Sequence, residues 1–303
     1  MKNKMPKVSV YMPVYNAGSF LVDAIESVLG QTYKNIEFII VDDASSDSSW
    51  KIIQKYKKKY PKIIKAVGLK KNVGMGGDAA GNVAFKLAKG EFVARIDADD
   101  IAVPDRIEKQ VEYMKSNPDC VLLGSNAYVI NKNGRIVGSK EVPTKFGDIY
   151  EDAFVFNPII HPTTMVRKSK INRKSLYKIK YQANNDYLTF IELIAKRKGV
   201  ANLPDKLMYY RIHDSNDSLT YVKSRFLNSL RIRYKAVFEY GYRPTVKSIV
   251  KLIAQVCVIL ILPERAILSL YMVVKGIKKA TDVLPFSTSP VFVRLKRAIL
   301  PSI

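Results

Sequence analysis

Along the first 118 residues, short apolar and β-branched runs alternate with segments whose apolar positions recur at helical spacing. Residues 7–12 (KVSVYM) read as a short buried strand that Pro13 ends. Tyr15-Asn16-Ala17-Gly18 is a turn, and 20–29 has the pattern of an amphipathic helix. A second β-rich run, 36–41 (IEFIIV), stops on Asp42-Asp43, and 44–47 supplies the turn and N-cap of a helix through Trp50 to about Tyr60. A weaker strand at 63–67, a glycine-rich loop at 72–77 and a helix at 79–88 closed by Gly90 follow. The run 91–96 ends on Asp97, Asp99 and Asp100, and Pro104 starts a helix to about Ser116. This alternation predicts the α/β class, a mostly parallel sheet with helices on both faces. The loops at 13–16, 42–47 and 97–100 then share one edge, where ligands bind in such sheets.

After Cys120 the pattern becomes mixed. Runs 121–130 and 135–139 flank Asn133-Gly134, a strong hairpin signal. A short strand at 163–166 follows His161-Pro162, and 184–198 is a helix capped by Asn184 or Asn185, with Asp186 in its first turn. A late strand, 206–212, ends at His213. Beyond Thr220 the chain reads as wholly helical and amphipathic, with uncharged runs at 252–263 and 266–274. Neither run reaches the ~20 residues of a membrane span. The predicted organisation is a catalytic domain over 1–220, with halves 6–118 and 119–220, and a basic helical tail over 221–303.

Composition narrows the classes. A chain of 303 residues, 48% hydrophobic and 25% charged, can bury a core and is not disordered. Cys120 and Cys257 form no spacing pattern, which excludes a disulfide framework or zinc site and suits a reducing compartment. Residues 1–15 lack the apolar stretch of a signal peptide, so export is not expected. The net charge of +23 implies an anionic partner: nucleic acid, membrane or phosphorylated ligand. From Tyr221 onward, 15 Lys/Arg stand against 3 Asp/Glu. No nucleic-acid recognition signature accompanies them. Apolar helices with basic flanks predict a tail lying in the interface of an anionic leaflet or forming a re-entrant pair. A buried hairpin or a homo-oligomer face is the alternative.

Three acids within four residues at the end of an apolar strand repel one another unless a cation or strong partner sits between them. Asp97 and Asp99 on a turn suit a hard divalent ion that also grips phosphate oxygens. The alternative is a solvated turn with Asp100 capping the next helix.

Several stretches carry a resemblance to a known family: VSVYMPVYNAGSFLVDAIESVLGQTYKNIEFIIVDDASSDSS, NVGMGG, KGEFVARIDADDIAVPDRIEKQVEYM, HPTTMVRK, NNDYLTFIELIAKRKG and YYRIH. In these, and in their order, residues 6–215 resemble the family 2 glycosyltransferases, inverting enzymes of GT-A fold. The resemblance implies a hexosyltransferase-type enzyme using a nucleotide-sugar donor, UDP preferred, with Mg²⁺ or Mn²⁺. It implies that Pro13, Tyr15 and Asn16 line the nucleotide pocket, Asp42 braces the turn and Asp43 bonds a uracil-type base. Asp97 faces the ribose or a metal-bound water, and Asp99 and His213 hold the metal. Asp186 is the base of a single in-line displacement. Arg211 is implied as a diphosphate contact, and His161 as orienting a loop near the acceptor. The expected acceptor is a lipid-linked or surface glycan at the cytoplasmic face of a bacterial membrane.

Two places depart from the family pattern. Asn185-Asp186 replaces the commoner Glu-Asp, and Gly74-Met75-Gly76-Gly77-Asp78 lacks the usual Arg, which puts the loop's path in question. Gly74-x-Gly76-x-x-Ala79 formally matches a dinucleotide fingerprint but does not abut a strand. A sugar-phosphate nucleotidyltransferase needs a basic, glycine-rich first loop that Pro13-Val14-Tyr15-Asn16 lacks. A non-catalytic basic scaffold with a degenerate domain is opposed by the presence of Asp43, Asp97, Asp99 and Asp186.

Overall fold

The computed structural model describes residues 5–171, 174–213 and 222–261. The first half follows the predicted alternation: β1 (Val8–Val14), α1 (Leu21–Leu29), β2 (Ile36–Asp42), α2 (Ser49–Lys59), β3 (Ile64–Gly68), α3 (Asp78–Leu87), β4 (Phe92–Arg95), a short β5 (Ile101–Ala102) and α4 (Arg106–Ser116). The second half adds β6 (Cys120–Ile130), β7 (Ile136–Lys140), α5 (Phe146–Asp152), β8 (Met165–Arg167), α6 (Asn185–Ala195), β9 (Gly199–Arg211), α7 (Val222–Phe238) and α8 (Val246–Ile261). The strand order is β3-β2-β1-β4-β8-β6-β9-β5, with β7 paired on β6. From β3 to β4 the pairing is parallel, β8 runs antiparallel to both neighbours, and β6 and β9 are again parallel.

Alternation along β1 sends Val8, Val10, Met12 and Val14 into one apolar layer, with α1, α2 and α4. Tyr11 faces the opposite layer, with α3, α6 and α7. Burial on both faces is why these strands read as near-continuous apolar runs, and each fully buried Ile, Leu or Phe contributes about 1.5–3 kcal/mol. The parallel pairing of β1, β2 and β4 puts their carboxyl ends on one edge, as the pattern predicted. Asp47, one residue before the α2 N-cap Ser48, accepts from the backbone N–H groups of Ser49 and Gly18, both at 2.9 Å.

Three elements differ from the sequence reading. β9 begins at Gly199, not 206, because Pro204 sits where the register with β6 shifts between Ser125 and Asn126. Proline cannot donate to the ladder there, and Asn126 Nδ2 covers the Pro204 carbonyl at 2.9 Å. β5 and α5 are too short to register as periodic patterns. The described part of the 221–303 tail packs on the body: α7 buries Ile232 and Ala236 beside α6, and Lys251 of α8 lies 3.5 Å from Asp152 of α5. The uncharged run at 266–274 lies outside the described residues.

Candidate active site

The loops after β1 and β2 are stapled together. Asn16, in the left-handed region at φ 49°, accepts from Ser46 N through Oδ1 at 2.8 Å, and its own N–H donates to Ser45 Oγ at 3.0 Å. Tyr15 projects outward at 55% exposure. Asp42 is buried and accepts from Ser45 N at 3.2 Å, so it braces this turn. Asp43 accepts from Val73 N at 2.8 Å and Gly74 N at 3.2 Å. Burial raises the Asp43 pKa, and those two N–H groups oppose the rise.

This fixes the glycine loop's path. Gly74, Met75, Gly76 and Gly77 have φ of 61°, 63°, 61° and 77°, a run of left-handed residues that glycine makes cheap. A Cβ at Gly77 would stand 3.1 Å from Pro13 Cγ, so the loop packs against the end of β1.

The loop delivers Asp78 to a buried polar cluster that the motifs did not single out. Arg95, at the end of β4, bonds Asp97 Oδ1 through Nε at 2.7 Å and Asp78 Oδ1 through Nη1 at 3.2 Å. Its guanidinium lies near the rings of Tyr11 and Tyr177, at 5.9 and 5.7 Å. Burial disfavours the Arg95 charge, but Asp97, the two tyrosines and Asp78 outweigh it and the guanidinium stays ionised. Burial also raises Asp97, with Arg95 opposing and Asp99 reinforcing. Removing one partner of such a buried ion cluster typically costs about 3–5 kcal/mol. An arginine in the apolar run 91–96 was the available signal, since a buried charge must be paired.

Asp99 and His213 converge: His213 Nε2 lies 2.9 Å from Asp99 Oδ2, and the histidine ring packs on Phe20 at 4.8 Å. Both side chains remain partly open, at 26% and 13% exposure. Among the described residues no group of three or more His, Cys, Asp or Glu forms a closed metal cage. A carboxylate oxygen and an imidazole nitrogen side by side are donor types that a divalent ion such as Mn²⁺ takes.

Asp100 and Arg211 have a different place from Asp99. Asp100 is buried and accepts from Arg211 N at 2.8 Å, and burial followed by Asp99 and Asp97 pushes its pKa well up. Arg211 turns inward, donating to the carbonyls of Asp99 (2.7 Å) and Lys132 (3.1 Å) and pairing with Asp23 at 3.3 Å. Its guanidinium ties the end of β9 to the Asp97–Asp100 turn and is 2% exposed, which does not match a diphosphate contact in the cleft.

Asp186 opens α6. Its Oδ2 accepts from Asn157 Nδ2 at 2.9 Å and faces His161 Nδ1 at 3.8 Å. His161 Nε2 in turn lies 3.6 Å from Asp78. Thus Asp186, His161, Asp78, Arg95 and Asp97 form one connected polar cluster between the two halves. Burial raises the Asp186 pKa, with the backbone N–H of Tyr187 and then Arg95 opposing. The family departure at Asn185 has a structural reason. Its Oδ1 accepts from Lys180 N and Tyr181 N, both at 2.9 Å, and its Nδ2 donates to Tyr181 O at 2.6 Å. A glutamate could not supply that donor.

A family model, Glycosyl transferase family 2, matches residues 9–179. The chain belongs to glycosyl transferase family 2. It is 38% identical over 227 residues to the uncharacterised glycosyltransferase MJ1057 of Methanocaldococcus jannaschii, covering 74% of this chain and 77% of that one. It is 30% identical to the UDP-Glc:alpha-D-GlcNAc-diphosphoundecaprenol beta-1,3-glucosyltransferase WfaP of Escherichia coli, covering 80% of this chain and 96% of WfaP. The fold matches that of Staphylococcus aureus TarS 1–349 solved with UDP-GlcNAc, at a TM-score of 0.66 and 17% identity over 97% of this glycosyltransferase and 88% of TarS. The architecture is therefore the GT-A fold that the alternation and the resemblance implied.

Proposed function

We propose that this glycosyltransferase moves a hexosyl group from a UDP-sugar to a hydroxyl of a lipid-linked or surface glycan, with inversion. The observation that carries the reading is the placing of Asp186 beside the Asp97 turn in one polar cluster: His161 faces Asp186 and bonds Tyr177 Oη at 2.8 Å, to which Arg95 donates at 3.4 Å while also bonding Asp97. WfaP, named for a UDP-Glc donor and a diphosphoundecaprenol acceptor, supports the substrate class. Pro13, Tyr15, Asn16, Asp42, Asp43 and Asp97 form the nucleotide side. Asp43 has lone pairs beyond those taken by Val73 and Gly74, with which it can accept from a base N–H.

Asp99 and His213 would hold Mg²⁺ or Mn²⁺, which neutralises the negative charge that grows on the leaving diphosphate. Asp186 takes the acceptor hydroxyl proton as the acceptor oxygen bonds the anomeric carbon and the bond to the diphosphate breaks. Its raised pKa brings it closer to the operating pH, which favours a general base. The expected product, read by NMR at the new glycosidic carbon, has the anomeric configuration opposite to the donor. A retained configuration would reject single displacement.

The acceptor class accords with α8. Its Ser248 and Gln255 are buried and Lys251 reaches Asp152, while Val246, Val250, Ile253 and Leu260 are 79%, 59%, 56% and 79% exposed. A helix with polar groups inward and aliphatics outward suits a lipid interface. Like copies at +23 repel, whereas an anionic leaflet attracts, so the reading is peripheral attachment at the inner face of the cell membrane. Among the described residues no helix is long and apolar enough to cross a membrane. Val250→Glu with Ile253→Glu is expected to reduce co-sedimentation with phosphatidylglycerol vesicles at least ~10-fold, since each charge opposes burial in lipid. Unchanged sedimentation would reject this face as the anchor.

A further inference from the structure

The side-chain contacts of Asp186 fall on one oxygen. Oδ2 takes the Asn157 bond and faces His161, whereas Oδ1 has no side-chain hydrogen bond among the described residues. Asn157 is itself oriented, because its Oδ1 accepts from Ile159 N at 3.3 Å and so turns Nδ2 toward Asp186. His161 is wedged edge-on between Tyr177 and Phe190, at interplanar angles of 82° and 76°. Its Nε2 lies 2.8 Å from Tyr177 Oη, which lies 2.5 Å from Tyr11 Oη.

Burial keeps both tyrosines protonated, Tyr11 being pushed up to about 12. Burial, then Arg95, holds His161 neutral, so the ring carries one N–H. Asp78 is beyond hydrogen-bond reach of Nε2 at 3.6 Å and pairs with Arg95. Either tyrosine can donate in the Tyr11–Tyr177 bond, and the arrangement in which Tyr11 donates to Tyr177 and Tyr177 to Nε2 is the one that puts the ring proton on Nδ1, facing Asp186.

We propose that Asn157 and His161 are positioning residues: Asn157 holds Asp186 by Oδ2, His161 flanks that oxygen at 3.8 Å, and Oδ1 is left for the acceptor proton. The proposal rests on Asp186 being the base. An unheld carboxylate rotates and presents either oxygen, which lowers the fraction aligned with the acceptor hydroxyl. The backbone N–H of Tyr187, then Arg95 and Arg225, favour the ionised form against burial, and the Asn157 donor at 2.9 Å acts in the same sense. The other charged groups facing Asp186 are Arg95 of β4, Arg225 of α7, and Asp78 and Asp97 across the cleft.

The test separates positioning from packing. An asparagine amide stands near where Nδ1 stood, whereas a glutamine amide reaches toward Nε2. Full-length protein is assayed for UDP release from UDP-glucose and UDP-GlcNAc with water as acceptor, and the Asp186 carboxyl is titrated by ¹³C NMR, assigned by its loss in Asp186→Asn. Asn157→Ala is expected to lower kcat about tenfold and raise the Asp186 pKa by about one unit, the worth of a hydrogen bond to a charged group, and His161→Gln to move both readouts in the same direction. Donor KM should stay within about twofold, and His161→Asn should restore both readouts. Wild-type kcat with an unmoved titration in both Asn157→Ala and His161→Gln would overturn the proposal. So would His161→Asn as impaired as His161→Gln, which would indicate packing alone. Undiminished turnover in Asp186→Asn would instead overturn the base assignment. Where water turnover is too slow to read, the carboxyl titration decides by itself.

Discussion

Asp186→Asn lowers turnover by at least ~10²-fold and leaves UDP affinity unchanged, because the amide keeps the shape of the carboxylate and cannot take a proton. The loss will not come from unfolding. Burial raises the Asp186 pKa in the folded state, so the folded protein binds that proton more tightly than the unfolded chain. The native group therefore loses stability as pH rises from the unfolded carboxylate value of ~3.9 through its raised folded value. The asparagine variant lacks that component, and its melting temperature at neutral pH should equal or exceed that of the parent. Steady-state kinetics with a melting curve at pH 5 and pH 8 checks both halves. Full activity in the variant removes Asp186 as base.

Asp99→Ala has the second large effect. It takes away the open carboxylate beside His213 and leaves the Asp97–Arg95–Asp78 cluster in place. Donor turnover should fall at least ~10-fold, as expected for loss of a metal ligand. Added Mn²⁺ should no longer stimulate it. The fold should survive, because Asp99 is partly exposed and the turn is also held by Arg211, through the Asp99 carbonyl and the Asp100 carboxylate. A variant that keeps full turnover in the presence of EDTA would show that Asp99 does not act through a metal.

The sheet edge was legible because strand ends at Pro13, Asp42-Asp43 and Asp97–Asp100 are written in chain order, and parallel pairing alone aligns them. Asp99 with His213 was legible only through the family motif, since Asp99 sits in the turn after β4 and His213 just beyond β9, and nothing local links them. Arg211 was legible as a motif arginine but its place was not: the structure buries its side chain against the Asp97–Asp100 turn and Asp23. Asn157, Tyr177 and Asp78 were illegible for a common reason. Each acts through partners more than ten residues away, Asp78 on Arg95, Tyr177 on His161 and Asn157 on Asp186, and no period or spacing records such contacts. Arg95 stood in plain view as a charge in an apolar strand. Read by its desolvation cost, it would have led to Asp78 and Asp97.

The central claim is a metal-assisted UDP-sugar site built on Asp43, Asp97, Asp99 and His213. Isothermal calorimetry of UDP with and without Mn²⁺, on the full chain and on Asp99→Ala, tests it most directly. UDP binding should strengthen at least ~10-fold with Mn²⁺ in the parent and be insensitive to Mn²⁺ in the variant. Equal UDP affinity with and without Mn²⁺ in the parent, or equal Mn²⁺ dependence in both proteins, would contradict it.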